Sequence, residues 1–182
     1  MQRRATSLPD VFLVEPRVFH DERGFFLEVY REDAFASLGI SQRFVQDNLA
    51  GSRRGVLRGL HYQIRHPQGK LVRVVHGEIF EVVVDLRRSS PTFGQWVGVT
   101  LSAETHAALW VPPGFAHGYY SVSERAEVFY KVTDVYAPAW ERTLLWDDPA
   151  LGIHWPLVEG AAPILSDKDA AGKLLNEADT FE

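Results

Sequence analysis

Short apolar segments separated by turn residues run through most of the chain. From about residue 10 to residue 136, Gly, Pro, Asn and Asp recur roughly every ten residues, and the segments between them are rich in Val, Phe and Tyr. This spacing predicts an all-β sandwich or barrel. The predicted strands cover residues 10–19, 24–30, 43–48, 56–63, 70–77, 78–87, 94–101, 106–114, 115–122 and 126–136.

Two segments have helical character. Residues 32–39, EDAFASLG, predict a short helix that ends at Gly39. Residues 166–181, SDKDAAGKLLNEADTF, predict a C-terminal helix with Ser166 as its N-cap. Asp169 stands three residues further on, which is the spacing of a capping box.

The chain is expected to form one domain of residues 1–182. N-terminal strands lie within residues 8–30, the main β-structure within about 45–140, and a loop and helix within 141–182. Within the β-structure, the sequence His-Gly-Glu at 76–78 separates two valine-rich strands and predicts a hairpin between them.

Composition and charge narrow the possible functions. The net charge is −5, with 46% hydrophobic and 24% charged residues, which argues against a nucleic-acid or membrane protein. An anionic ligand would therefore need a local cluster of positive charge. The chain has no cysteine, which excludes disulfides, thiol catalysis and zinc–thiolate sites. The N-terminus has no continuous apolar stretch, so we expect neither a signal peptide nor a membrane span, and we expect a cytoplasmic protein.

The segment RGVLRGLHYQ, residues 54–63, places a cation and a base in a predicted strand. Strict alternation would direct Arg58 and His61 to opposite faces of the sheet. Gly59 lies between them and is typical of a β-bulge, which would bring both side chains to the interior. The sequence leaves two interpretations open, a functional pair or a core histidine with a surface arginine.

Three further residues are candidates for chemistry. Lys70 begins a strongly apolar strand, so it either extends to solvent or meets a substrate oxygen in a cavity. Tyr130 shares one predicted face with Val128 and Val132, either as an inward phenol or as an ordinary strand tyrosine. His117 follows a Pro-Pro-Gly turn, which alone is a weak signal.

The histidine pattern does not support a metal site. The seven histidines form no His-x-His pair and no HExxH motif. No metal ligands are therefore predicted.

These segments together resemble the dTDP-4-dehydrorhamnose 3,5-epimerases over about residues 5–170. That family has a cupin-type double-stranded β-helix (jelly roll), acts as a homodimer and uses no metal or other cofactor. The resemblance implies a third step of dTDP-L-rhamnose biosynthesis, with a dTDP-4-keto-6-deoxy sugar nucleotide as substrate. The matching stretches are FVQDN (44–48), GVLRGLHYQ (55–63), QGKLVRVVHGEIFEVVVDLRRSSPTFGQWVG (68–98), LSAE (101–104), LWVPPGFAHG (109–118), VFYKVTDVYAP (128–138), ERTLLWDDPALGIHWP (141–156) and PILSDKD (163–169).

The resemblance implies a role for each of four catalytic residues. His61 is the base that removes a proton next to the C4 ketone, and Asp169 is its carboxylate partner. Lys70 stabilises the enolate oxygen, and Tyr130 is the acid on the opposite face of the sugar. Because one carboxylate cannot easily serve two roles, we expect Asp169 to turn inward instead of capping the helix.

The resemblance also implies a set of substrate contacts. Arg23, Arg58 and Lys168 are expected to bind the diphosphate, since charge-assisted bonds to phosphate are strong. Arg23 and Glu28 are expected to act across the dimer. The implied substrate-binding residues are Arg23, Glu28, Gln46, Asn48, Arg58, His117, Tyr136, Glu141 and Lys168.

Three other functions remain open at the level of sequence. The first is an epimerase that inverts only C3 or only C5 of a related dTDP-4-keto sugar, because Val135 replaces a frequent aromatic residue beside the sugar site. The second is a non-catalytic sugar-nucleotide-binding cupin, although such a protein would be expected to lack His61 or Tyr130. The third is a metal-dependent cupin oxygenase.

Overall fold

Two antiparallel sheets packed face to face form the body of the protein. The structure is a computed structural model that describes residues 1–182. In spatial order, the six-stranded sheet contains β1 (Gln2–Ala5), β2 (Phe12–Glu15), β10 (Ala108–Val111), β7 (Lys70–His76), β12 (Arg125–Val132) and β5 (Gln46–Arg53). The five-stranded sheet contains β13 (Glu141–Thr143), β6 (Leu57–Gln63), β11 (Phe115–Ser121), β8 (Glu78–Asp85) and β9 (Trp96–Ser102). This arrangement confirms the predicted all-β jelly roll.

Alternation along the strands determines which side chains fill the space between the sheets. Val72 and Leu109 of the six-stranded sheet and Ile79, Val83 and Leu101 of the five-stranded sheet are fully buried in one cluster. Burying a side chain of this kind stabilises the fold by about 1.5–3 kcal/mol. The two sheets are therefore held together by an apolar layer.

The predicted hairpin at residues 76–78 is wrong. Strand β7 pairs with β10 and β12, whereas β8 pairs with β9 and β11 in the opposite sheet. Gly77 has φ +74°, and a Cβ there would collide with the Arg125 carbonyl. The chain thus crosses between sheets at this glycine, and local turn signals cannot distinguish such a crossing from a hairpin.

The N-terminal region contains more strands than predicted. Residues 10–19 do not form one strand, because Pro16 lacks the N–H that a continuous ladder needs. Instead β2 ends at Glu15, and a separate hairpin contains β3 (Val18–Asp21) and β4 (Gly24–Leu27). Strand β1 was not predicted. It lies at the edge of the six-stranded sheet, where its residues are exposed and carry little apolar pattern.

Only one of the two predicted helices has the expected extent. Helix α1 (Glu32–Ser37) is followed by Gly39 with φ +98°, as the glycine stop signal predicted. Helix α2 (Asp167–Ala170) is a single turn, so the predicted helix over 166–181 is wrong. A 3-10 turn at Pro138–Trp140 is the remaining helical element. Neither α1 nor α2 has the length or apolar character that crossing a bilayer requires.

Residues 171–181 do not continue helix α2, because this C-terminal segment packs against β13 and the residues that follow it. Gly172 lies so close to the two residues that follow this strand that a Cβ would be 2.7 Å from the Leu145 backbone. The Lys173 N–H donates to the Thr143 carbonyl at 2.9 Å, and the Leu145 N–H donates to the Lys173 carbonyl at 2.7 Å. These two pairings bind the Lys173 backbone to the neighbouring segment instead of to the preceding turn of helix α2.

The predicted bulge at Gly59 is confirmed. His61 pairs with His117 while Arg58 pairs with Tyr119, so β6 contains one residue more than β11 in this interval. Gly59 has φ +124°, and a Cβ there would lie 2.5 Å from the Gly118 Cα. The close approach of these two glycines lets Arg58 and His61 share the interior face.

We expect the substitution Gly118→Ala to destabilise the fold by about 1–3 kcal/mol, because overpacking displaces the neighbouring strand. A Cβ at Gly118 would collide with the Arg58 carbonyl and lie 2.8 Å from the Gly59 Cα. Gly51→Ala is the matched control, since a Cβ at Gly51 meets no atom within 4 Å. Urea unfolding measures both changes, and equal stability of the two variants would contradict the expectation.

Candidate active site

A cavity of about 350 Å³ opens between the two sheets and collects most of the predicted site residues. His61 on β6 and His117 on β11 face it from the five-stranded sheet, and Lys70 on β7 and Tyr130 on β12 face it from the six-stranded sheet. The other predicted residues that line it are Gln46, Asn48, Arg58, Tyr136, Glu141 and Lys168. Asp169, Arg23 and Glu28 do not line it.

His61 forms a hydrogen-bonded pair with a buried carboxylate. Its Nε2 lies 2.6 Å from Asp169 Oδ1, and the same oxygen accepts from the Gly59 N–H at 3.1 Å. Burial raises the pKa of Asp169, but hydrogen bonds from His61, Ser166 and Gly59 outweigh it and place the pKa well below its usual value. Asp169 is therefore ionised, and it orients the ring so that Nδ1 is left to accept a proton.

Asp169 also caps helix α2, so the expectation that it would pair with His61 instead of capping is wrong. Its Oδ2 accepts from the Ser166 N–H at 3.3 Å and the Ser166 hydroxyl at 2.6 Å. In return, Ser166 Oγ accepts from the Asp169 N–H at 3.3 Å. One carboxylate serves both roles because each oxygen has its own partners. The capping box consequently fixes the carboxylate that orients His61.

Lys70 is buried and meets a histidine in the cavity wall. Its Nζ lies 2.7 Å from His117 Nε2, so the interpretation in which Lys70 extends to solvent is wrong. Burial lowers the pKa of Lys70 to about 8, while Glu81 and Glu141 oppose this shift. Lys70 therefore remains mainly an ammonium at neutral pH.

His117 connects Lys70 to a carboxylate that sequence reasoning missed. Its Nδ1 lies 2.5 Å from Glu81 Oε1, and Glu81 is fully buried on β8. Burial, together with the charge of Lys70, keeps the pKa of His117 well below its usual value, so this ring is neutral. The sequence did contain a signal for Glu81. Strand alternation places this residue on the inward face with Ile79 and Val83, and a glutamate is rarely buried there without a partner.

Tyr130 completes the inner wall of the cavity, and Arg58 lies at its edge. Val128 and Val132 are buried on either side of Tyr130, so the predicted inward face of β12 is confirmed. Burial raises the pKa of Tyr130, which keeps the phenol protonated. The Arg58 guanidinium donates to Ser52 Oγ at 3.0 Å and to the Gly51 carbonyl at 3.1 Å, and these bonds hold it at the edge of the cavity.

Polar side chains at the cavity mouth are linked to one another. Lys168 Nζ lies 2.8 Å from Glu141 Oε1, and the Tyr136 hydroxyl donates to Glu141 Oε2 at 3.0 Å. Gln46 accepts from the Tyr136 N–H at 3.0 Å and donates to Asn48 Oδ1 at 2.8 Å. The mouth thus combines amide groups with two cations, Arg58 and the Lys168 that is paired with Glu141. Such cations can form charge-assisted hydrogen bonds to phosphate.

Arg23 and Glu28 lie outside the cavity of their own chain. Arg23 is at the turn of the β3–β4 hairpin, where its side chain is 89% exposed and pairs with Asp21. Glu28 follows the hairpin and pairs with Arg31. A single chain does not bring these two predicted substrate contacts to the site.

The arrangement can move a proton at a carbon next to a carbonyl group. It offers an imidazole with a carboxylate partner, a buried ammonium and a protonated phenol around one cavity. No group of three or more His, Asp or Glu side chains is placed to hold a metal ion.

Comparison with known proteins identifies the family. Residues 5–177 match the family model described as dTDP-4-dehydrorhamnose 3,5-epimerase. The chain is 57% identical over 182 residues to the dTDP-4-dehydrorhamnose 3,5-epimerase of Pseudomonas aeruginosa, covering 100% of this chain and 99% of that protein.

Solved structures give the same result. The dTDP-6-deoxy-D-glucose-3,5-epimerase of Legionella pneumophila, crystallised with dTDP-4-keto-L-rhamnose, is 51% identical with a TM-score of 0.94, over 98% of this chain and 94% of that one. A 3'-monoepimerase from Streptomyces bikiniensis in complex with dTDP-quinovose is 35% identical with a TM-score of 0.87, over 95% and 87%. These likenesses confirm the cupin-type fold. The chain belongs to the dTDP-4-dehydrorhamnose 3,5-epimerase family.

Proposed function

We propose that His61, Lys70 and Tyr130 convert dTDP-4-dehydro-6-deoxy-D-glucose to dTDP-4-dehydro-L-rhamnose by inverting C3 and C5. The chain is an isomerase by family membership, and this is the reaction of its relatives. The observation that carries the assignment of residues is the placement of His61 and Tyr130 on opposite sheets facing one cavity. Such a pair can act on the two faces of one sugar ring.

The first step is removal of a proton from carbon. The C4 ketone acidifies the neighbouring C–H bonds, and Nδ1 of His61 takes the proton while the electron pair moves to the C4 oxygen. The ring becomes an imidazolium, which the ionised Asp169 stabilises. General base catalysis of this kind contributes typically about 10²–10⁴-fold to the rate.

Lys70 is the group that stabilises the enolate. Its ammonium lies in a buried wall of the cavity, where an electrostatic interaction is far stronger than in water. Because the charge is already held in place, little reorganisation is needed when the C4 oxygen becomes negative.

Tyr130 returns a proton from the other side of the ring. The enolate re-forms the ketone, the phenol O–H bond breaks, and the new C–H bond has the inverted configuration. The raised pKa of Tyr130 supports this role, because the phenol is protonated before each step. After each inversion the His61 imidazolium releases its proton to solvent and the Tyr130 phenolate takes a proton from solvent, so the same sequence can run at the second carbon and complete the double epimerisation.

The anionic part of the substrate is bound at the cavity mouth. We assign Arg58 and Lys168 to the diphosphate, because charge-assisted hydrogen bonds to phosphate are strong. Gln46 and Asn48 lie beside them and present amide groups to the thymine or deoxyribose. His117 lines the cavity, but both ring nitrogens are engaged by Lys70 and Glu81.

The protein acts as a homodimer in this proposal. The β3–β4 hairpin exposes three aromatic rings, of which Phe26 is 71% exposed, and it has Arg23 at its turn and Glu28 directly after its last strand. Exposed apolar surface of this kind is typical of an interaction site. A second copy would cover the rings and bring Arg23 and Glu28 towards the partner's cavity.

A cytoplasmic location stays a prediction.

Turnover in D₂O tests the double epimerisation. We expect deuterium at both C3 and C5 of the product, because each inversion exchanges one carbon-bound proton with solvent. NMR of the product locates the label. Deuterium at one carbon only would assign the chain to the single-carbon epimerases.

Two variants separate the base from the acid. His61→Asn should reduce both deuterium exchange and inversion by about 10²–10⁴-fold. Tyr130→Phe should retain exchange but lose inversion, because His61 can still return a deuteron to the original face. Comparing labelled substrate with inverted product measures the two rates. Equal loss of exchange and inversion in Tyr130→Phe would contradict the assigned acid.

The dimer is tested through the exposed aromatic hairpin. Phe26→Ser should shift the protein from dimer to monomer in sedimentation velocity and raise KM for the nucleotide sugar. Val158→Ser is the control, since Val158 is an exposed apolar residue on a loop far from the hairpin in sequence. A monomeric wild-type protein with full activity would overturn the proposal.

A further inference from the structure

Three polar residues from three strands, of which Lys70 and Glu81 are buried and His117 is largely buried, form a continuous column through the protein interior. Glu81 on β8 contacts His117 on β11, and His117 contacts Lys70 on β7, at 2.5 Å and 2.7 Å respectively. Strands β8 and β11 belong to one sheet and β7 to the other, so the column crosses the space between the sheets. Its Lys70 end is at the cavity, whereas its Glu81 end is fully buried.

We infer that Glu81, acting through His117, is a positioning residue that holds Lys70 as an ammonium directed at the cavity. The inference rests on the proposed function, in which Lys70 is the cation beside the C4 oxygen. Glu81 itself lies outside the set of cavity-lining residues, so its effect on the reaction is indirect.

The hydrogen-bond donors and acceptors of the column allow one arrangement when Lys70 is charged. An ammonium only donates, so His117 Nε2 must accept. A neutral imidazole then has its proton on Nδ1 and donates to Glu81 Oε1, which is a carboxylate. The column therefore has one negative and one positive end and no net charge.

Burial alone opposes this arrangement at both ends. It raises the pKa of Glu81 well above its usual value, and it lowers the pKa of Lys70. The charge of Lys70 lowers the pKa of Glu81, and the charge of Glu81 raises the pKa of Lys70, so each charge opposes the effect of burial on the other group. We assign the charged form because the two contacts of His117, 2.7 Å to Lys70 Nζ and 2.5 Å to Glu81 Oε1, have the short lengths of charge-assisted hydrogen bonds.

Other charged groups near the column have partners of their own. Glu141 faces Lys70 but is paired with Lys168 at 2.8 Å, and His61 faces His117 but is paired with Asp169. Glu81 has no other partner, since its second oxygen, Oε2, is buried without a hydrogen bond. The negative charge of Glu81 therefore interacts with Lys70 through His117 and with no other hydrogen-bond partner.

NMR of ¹⁵Nζ-labelled lysine tests the inference directly. The chain contains four lysines, and the Lys70 signal is assigned by its loss in Lys70→Arg. In Glu81→Gln, whose side chain keeps the acceptor for His117 but loses the charge, the Lys70 titration midpoint should fall by about 1–3 pH units. Glu81→Asp should restore part of the shift. An unchanged midpoint in folded Glu81→Gln would overturn the inference.

A surface variant controls for the change in net charge. Asp47→Asn removes the same charge beside Lys131, at the exposed end of β5, and should leave the Lys70 midpoint unchanged.

If Glu81→Gln does not fold, the His117 tautomer of the wild-type protein tests the inference instead. Its ring ¹⁵N shifts should show a neutral imidazole with the proton on Nδ1, and a proton on Nε2 would contradict the inference.

Kinetics separates this inference from the proposed function. A lysine is cationic below its midpoint, so Glu81→Gln should move the alkaline fall of kcat to lower pH by the same shift. KM for the nucleotide sugar should remain unchanged. The lysine titration needs no turnover, so a shifted midpoint with an unaltered kcat profile would remove the proposed role of Lys70 and leave the Glu81 inference intact.

Discussion

Charged side chains lie between two apolar sheets only because each is matched by a partner within the same layer. Taking an ion out of water costs several kcal/mol unless hydrogen bonds and an opposite charge replace the solvent. Two acid–imidazole contacts supply this in the present structure, Asp169 with His61 and Glu81 with His117. The first serves a proposed base and the second a proposed cation. The same local chemistry therefore supports two different tasks.

The two pairs differ in how completely the carboxylate is satisfied. Asp169 accepts hydrogen bonds on both oxygens, from the Gly59 and Ser166 backbones as well as from side chains, so its charge is retained. Glu81 has one oxygen without a partner, so its negative charge is stabilised only by His117 and, through His117, by Lys70. A fully satisfied carboxylate fixes a ring in place, whereas a partly satisfied one remains sensitive to the charge at the other end.

Two backbone features convert a generic jelly roll into this site. The close approach of Gly59 and Gly118 lets β6 contain an extra residue, which directs Arg58 and His61 to the same side. The capping box at Ser166 delivers Asp169 from the C-terminal segment, more than a hundred residues away in sequence. The geometry of the proposed site thus depends on a strand contact and a helix start that contain no reacting atom.

The sequence by itself determined the strands from β6 to β12, the inward face of β12 and the bulge at Gly59, because alternation and glycine conformation act over a few residues. The predicted strand at 43–48 overlaps only the first three residues of β5, which runs to Arg53. Its motifs also identified the family and gathered ten candidates that share the cavity. Only the tertiary structure decided that β7 and β8 belong to different sheets, that residues 171–181 leave the helix, and that Asp169 caps and pairs at once. It also revealed the partnership of Glu81 with Lys70. Each of these depends on contacts between distant segments, and no local pattern of apolar and polar residues encodes which strand or side chain will be the neighbour.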